Sequence, residues 1–223
     1  MLTSFTVTRS QMAGMPAPDM LSLWKRVFPG SKPSTYSIRS RIFSQGEPIR
    51  EAFLPESGVV KLLSTDHDGR ETITALRYPG ELIEQTATMF KDIYAVSATT
   101  VTCCKLSCFD LKRFKQTLRS DIEATNLLLL QQAIESYRNM ETLLDLKTLT
   151  VRERIVKFLL QFETGAAVPL DVAIKLDFIF PIIREQDIAA LLGVTKQHFS
   201  TVKGQMIDSG QLAQINRSFA LRG

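Results

Sequence analysis

Arg184-Glu-Gln-Asp-Ile-Ala-Ala-Leu-Leu-Gly-Val-Thr-Lys-Gln-His-Phe-Ser-Thr-Val-Lys203 sets the reading of the whole chain. Gln186 to Leu192 has the spacing of a short helix that turns Ile188, Ala189 and Leu192 inward. Ala189 is small where two helices must approach closely. Gly193 falls where the chain must turn through the left-handed region, which penalises any side chain. Val194 plugs the turn, and Thr195 has the hydroxyl that N-caps a second helix. Phe199 and Val202 bury that helix, leaving Lys196, Gln197, Ser200, Thr201 and Lys203 outside. A plain helical hairpin needs none of these positions to agree. A helix-turn-helix that lays its second helix in a DNA groove needs all of them.

The candidate contacts follow from side-chain chemistry. Gln197 can pair bidentately with adenine, and Lys196 can reach guanine or a phosphate. Ser200 and Thr201 are adaptable readers, Thr201 with a methyl for thymine, and Thr195 caps beside them. Lys203 and Arg217 suit phosphates, which position a protein without specifying sequence. His198 fits a phosphate contact or solvent better than a metal. From Thr195 to the end there are Lys196, Lys203, Arg217 and Arg222 against Asp208, so this tail is net +3. Its last part, Gly210 to Leu221, reads as a two-stranded wing turning at Asn216-Arg217-Ser218.

Upstream, 171–180 alternates as a strand, Gly165 to Pro169 is a breaker, and Thr148 to Phe162 is helical, with Ile155, Phe158, Leu159 and Phe162 on one face. Asp121 to Leu146 runs 26 residues without Gly or Pro. Within it Leu130, Ala133, Tyr137, Met140 and Leu144 recur in steps of three and four, a seam suited to a second copy of the same helix. Leu127 and Ile134 form another apolar edge. A helix buried within one domain is the alternative.

From Tyr36 to Leu106 the period shortens. Runs at 37–43, 51–55, 58–64, 71–77 and 95–106 are β-prone. They are separated by Gly-bearing turns, including the hairpin signal Asp68-Gly69. Regular short strands of this kind predict an antiparallel barrel or jelly roll. Met20 to Phe28 predicts one short amphipathic helix.

The 223 residues have room for two domains, and 44% hydrophobic with 22% charged residues is a globular balance. The net charge of +4 and pI near 9.0 agree with a polyanionic partner without requiring one. No apolar run reaches bilayer length and Met1 to Met20 lacks the layout of a secretion signal, so a cytoplasmic location without membrane contact is expected. Cys103, Cys104 and Cys108 are odd in number and clustered, and read as reduced, largely buried thiols in a core strand. Their spacing does not decide whether one has a redox role. No nucleophile–base set, metal cluster or phosphate-cradling loop is present, so an enzyme is not expected.

Together these segments resemble the CRP/FNR family of bacterial regulators over roughly Ile38 to Leu221. The resemblance is carried by Phe43-Ser-Gln-Gly-Glu-Pro48, Ser57-Gly-Val-Val-Lys-Leu62, Asp68-Gly-Arg-Glu71, Pro79-Gly-Glu-Leu82 and Ile188-Ala-Ala-Leu-Leu-Gly-Val-Thr195. It implies an α+β chain: an N-terminal segment (1–35), an antiparallel β jelly-roll (double-stranded β-helix) sensor domain (36–118), a dimerisation helix (119–146) and a winged helix-turn-helix (147–223). It also implies a homodimer on palindromic promoter DNA, contact with RNA polymerase and a small-molecule effector. Gly80, Glu81, Leu82, Thr86, Thr88, Ser97 and Thr99 would line the effector pocket, with Asn139 closing it.

Cyclic-nucleotide binders of the family place an Arg against the cyclic phosphate. Here that place falls at Asp92 or Ile93, which points to an effector other than cyclic AMP. The cysteine and histidine sets do not suit an iron–sulfur cluster or haem, and no metal is expected. Gln197 and Thr201 stand where many relatives carry Glu and Arg, so the half-site is expected to differ from theirs. The other reading is a small-molecule binder with little DNA affinity.

Overall fold

The computed structural model describes residues 19–29, 31, 33–84, 89, 91–163, 183–215 and 218–221. The strand reading for 171–180 lies outside them, as do Thr86, Thr88 and Arg217. The first element is α1 (Met20–Val27). Strands β1 (Pro33–Tyr36), β2 (Arg41–Phe43), β3 (Glu51–Ser57), β4 (Val60–Thr65), β5 (Glu71–Arg77), β6 (Ser97–Thr100) and β7 (Cys104–Asp110) follow. They form two antiparallel sheets, β1-β7-β3 and β2-β6-β4-β5. Phe43, Ile49, Phe53, Val60, Leu62, Ile83, Tyr94, Ala98, Cys104 and Leu106 make the roll's core, with the Phe43 and Tyr94 rings stacked at 3.7 Å.

Two strand readings need correcting, and one strand is new. The 95–106 run divides between the sheets, because the chain turns a corner at Val101–Cys103 around Gly58. Gly58 has φ +86°, and a side chain there would meet the Cys103 carbonyl at 2.4 Å. The 37–43 run opens instead with a turn. There Arg39 takes φ 62°, and the Thr100 hydroxyl bonds the Ser37 carbonyl at 2.7 Å. β1 starts at Pro33, upstream of the first β-prone run at 37–43.

The helices are α2 (Leu111–Ser120), α3 (Ile122–Thr148) and α4 (Val151–Glu163). Asp121 starts α3 by accepting from the amides of Glu123 and Ala124. Thr150 and Glu153 start α4 by capping reciprocally: the Thr150 amide donates to the Glu153 carboxylate, and the Glu153 amide to the Thr150 hydroxyl. α1 packs with α2 and α3 through Trp24, Phe28, Phe109, Phe114, Leu118, Ala124 and Leu127. The Trp24 indole donates to Gln131 at 3.1 Å, whose amide donates to the Leu82 carbonyl at 3.3 Å. Ala124, Leu127 and Gln131 thus face the roll.

The seam faces the other way. Leu130, Tyr137, Met140 and Leu144 are 37–51% exposed, and Ala133 is exposed beside them.

The last part comprises α5 (Glu185–Leu191), α6 (Lys196–Asp208) and the antiparallel pair β8 (Leu212–Ile215) and β9 (Ser218–Leu221). Its core includes Ile155, Leu159, Ile183, Ile188, Ala189, Leu192, Phe199, Met206 and Leu212, and it takes in Val59, Tyr78 and Val101 from the roll. Among the described residues no helix is long and apolar enough to cross a membrane.

Candidate nucleic-acid interface and effector region

α5 and α6 meet at a four-residue turn with the local chemistry the sequence predicts. Gly193 has φ +66°, and the Val194 amide bonds back to the Ala189 carbonyl at 2.9 Å. The Thr195 hydroxyl accepts from the His198 amide at 3.2 Å, N-capping α6. Phe199 and Met206 are fully buried. Val202 is half-buried, and Thr195, Lys196, Gln197, His198, Ser200 and Thr201 are exposed. Lys196, Gln197 and Ser200 have no side-chain partner among the described residues. The Thr201 hydroxyl bonds the Gln197 carbonyl at 3.0 Å.

Gly193 has a second role that φ alone does not reveal. A side chain there would meet Leu146, near the end of α3, at 2.5 Å. Arg154 on α4 donates to the Leu192 carbonyl, so the turn is gripped by both preceding helices.

Lys203 does not stand with the exposed set. It is half-buried and ion-paired with Glu185, tying α6 to α5. A lysine engaged this way braces the angle between the two helices, so its assignment to a phosphate does not carry over. A pair 18 residues apart across a turn leaves no periodic signal in a sequence.

The residues read as an effector pocket are dispersed. Gly80 (φ +85°) cradles α1, since a side chain there would meet the Leu21 amide at 2.9 Å. Glu81 accepts from the Tyr78 amide at 3.1 Å and pairs with Arg138. Leu82 is buried in the α1 cluster. Ala98 faces the roll core, so its strand neighbours Ser97 and Thr99 take the opposite face, where Thr99 lies across from Lys61. Asn139 is exposed; its neighbour Arg138 is the residue that reaches the roll.

The structure instead places a set of charges between roll and α3. Arg77 pairs with Glu135, Arg138 with Glu81, and Glu84 sits close by with φ 54°. Burial pushes the Glu84 carboxyl up from its ordinary value, opposed by the Arg77 charge and the Ala95 amide. The two pairs span 57 and 58 residues, beyond the reach of helix or strand periodicity. Lys91, Asp92 and Ile93 are exposed.

Cys104 is buried, Cys108 half-buried and Cys103 exposed at the corner, which corrects the expectation of three largely buried thiols. Burial raises the Cys104 and Cys108 thiols above their ordinary range. Among the described residues no three His, Cys, Asp or Glu side chains are placed to hold a metal ion.

Residues 34–121 match the family model of the cyclic nucleotide-binding domain. The nitrogen fixation regulation protein FixK of Azorhizobium caulinodans is 26% identical over 186 residues, 81% of this chain and 71% of that protein. The regulatory protein HlyX of Actinobacillus pleuropneumoniae is 27% identical over 173 residues, 77% and 70% of the two chains. Among solved structures, the c-di-GMP-responsive global regulator CLP of Xanthomonas campestris superposes with a TM-score of 0.72 at 19% identity, covering 91% of this chain and 99% of that one.

Proposed function

We propose that this chain, which belongs to the CRP/FNR family of transcription regulators, binds palindromic promoter DNA as a homodimer. The supporting observation is a pairing of two surfaces: an outward polar face on α6 and an exposed apolar seam on α3, opposite the face that α3 buries. The three-and-four spacing of the seam suits a parallel partner helix, and a two-fold axis along it presents two copies of α6. Thr195, Lys196, Gln197, Ser200 and Thr201 then meet the major groove, with Gln197 as the base reader, and Arg217 suits a phosphate by its side-chain chemistry.

The proposed division is an N-terminal segment (1–35), a sensor roll (36–118), a dimer helix (119–146) and a DNA-binding domain (147–223). The sensor roll answers to a small molecule other than cyclic AMP. Arg77, Glu81, Glu84, Glu135 and Arg138 stand between roll and dimer helix, and their mixed charges suit an effector that exchanges with ion pairs more than one presenting a lone phosphate. RNA polymerase is the partner through which a promoter-bound dimer acts.

Selection of duplexes from a random pool, combined with sedimentation of the free protein, tests this reading. A dimer that enriches an inverted repeat with salt-sensitive affinity is expected. A monomer with no affinity for any duplex would falsify it.

A further inference from the structure

We infer that Lys61, on the sensor sheet, is a positioning residue for DNA recognition: through Asp187 it fixes the orientation of the helix-turn-helix and so the spacing of half-sites the dimer accepts. This rests on the DNA-binding reading above.

Lys61 lies on β4, where flanking Val60 and Leu62 turn into the roll core. Its own side chain points the other way. The ammonium reaches Asp187 on α5 at 3.0 Å, with 14% and 7% of the two side chains exposed. Asp187 is also held by Arg184, whose two nitrogens each lie 3.2 Å from a carboxylate oxygen. A contact this dry between two parts of the chain is strongly directional, because neither group can trade its partner for water without being exposed first.

The contact does not act alone. Val59, Tyr78 and Val101 of the roll share one core with Ile183, Ile188 and Leu192, and Leu76 packs against it. On another side, Leu146 of α3 fits where Gly193 has no side chain. The helix-turn-helix is thereby held by the sensor sheet and by the helix that carries the dimer seam, while the outward residues of α6 stay exposed. In a dimer about that seam, two recognition helices docked this way lie at a fixed separation. A fixed separation is what makes a regulator demand one spacing between half-sites.

Lys61→Met tests this. The methionine keeps the apolar stem, and Arg184 still compensates Asp187, so the variant loses the link between the two parts without stranding a buried charge. Full-length proteins are titrated with duplexes carrying the selected half-sites at the selected spacing and with one or two base pairs added or removed. The wild type is expected to prefer one spacing by about tenfold or more, and Lys61→Met to narrow that to about threefold, with base preference inside each half-site kept. Lys61→Arg is expected to restore the discrimination. Should Lys61→Met not fold, Lys61→Gln takes its place.

Unchanged spacing discrimination in the folded variant overturns the inference. So does an equal loss of affinity at every spacing, which marks a merely structural or electrostatic role. Failure of the wild type to bind any duplex instead removes the DNA-binding reading, and the inference with it.

Discussion

The space between roll and α3 and the outer face of α6 are both lined by polar side chains, yet they treat them oppositely. Between roll and helix the charges satisfy one another: Arg77 holds Glu135 and Arg138 holds Glu81. On α6, Lys196, Gln197 and Ser200 are exposed and have no side-chain partner among the described residues. A polar group that the fold uses internally costs stability when its partner is removed. One kept for a second molecule costs affinity and leaves the fold intact. That contrast sorts the effects expected of substitutions.

The largest effect is expected where an exposed face completes the molecule. Tyr137→Glu with Leu144→Glu places like charges in the seam and should convert the dimer to monomer. Losing bivalent attachment should lower affinity for an inverted repeat by about a hundredfold or more. Sedimentation and DNA titration read the two consequences, and a double variant that stays dimeric removes the seam from the dimer interface.

Next comes the turn. Gly193→Ala asks a side chain to take a left-handed conformation, at about 1–2 kcal/mol, and brings a methyl against Leu146. A lowered Tm is expected, with part of the loss recovered when Leu146→Ala is added. No recovery would mean that the conformation alone explains the glycine.

Gln197→Ala should leave Tm unchanged and relax preference at one base position in each half-site, by about 1–3 kcal/mol. Uniform weakening on all sequences would move Gln197 to the phosphates.

The two regions also differ in how far they can be read from residues alone. The turn and recognition helix are built from neighbours in the chain. Gly193, Thr195 and Phe199 each declare a local need, and all three stand where that need predicts. The effector region is built from contacts between distant segments. Nothing in the spacing of Arg77, Glu81, Glu135 and Arg138 joins them, and a one-residue change of strand face sends Ser97 and Thr99 away from the core that Ala98 enters. The β-rich run was legible as a jelly roll, but its corners were not. Each corner depends on what a glycine such as Gly58 lies against, and its φ cannot be read from composition. Lys203 shows the same limit within the motif: its outward position is periodic, whereas its pairing with Glu185 is a tertiary fact.

Glu84 supplies a test with a sign. Burial raises its carboxyl above the ordinary value of 4.5, so the folded chain binds that proton more tightly than the unfolded one. The stabilisation from the neutral form is therefore fully present below the unfolded value and is lost as pH rises through the folded one. At neutral pH, Glu84→Gln should unfold at a higher temperature than wild type, and the gap should close as pH falls below the usual glutamate range. A gap that grows on acidification would mean that pairing with Arg77 outweighs burial.

The smallest effect lies in the thiols, and it asks whether the corner at Gly58 is built as described. Burial holds Cys104 and Cys108 protonated well above neutral pH, and a protonated thiol is a poor nucleophile. Cys103 is exposed on the turn between β6 and β7. A chromogenic disulfide reagent at mildly alkaline pH should thus find one fast thiol in the folded protein and all three after denaturation. Cys103→Ser should remove the fast phase without moving Tm, because the side chain contributes no core contact. A second fast thiol that Cys104→Ser removes would place residue 104 outside the roll, and would return the 95–106 segment to a single strand with alternate faces.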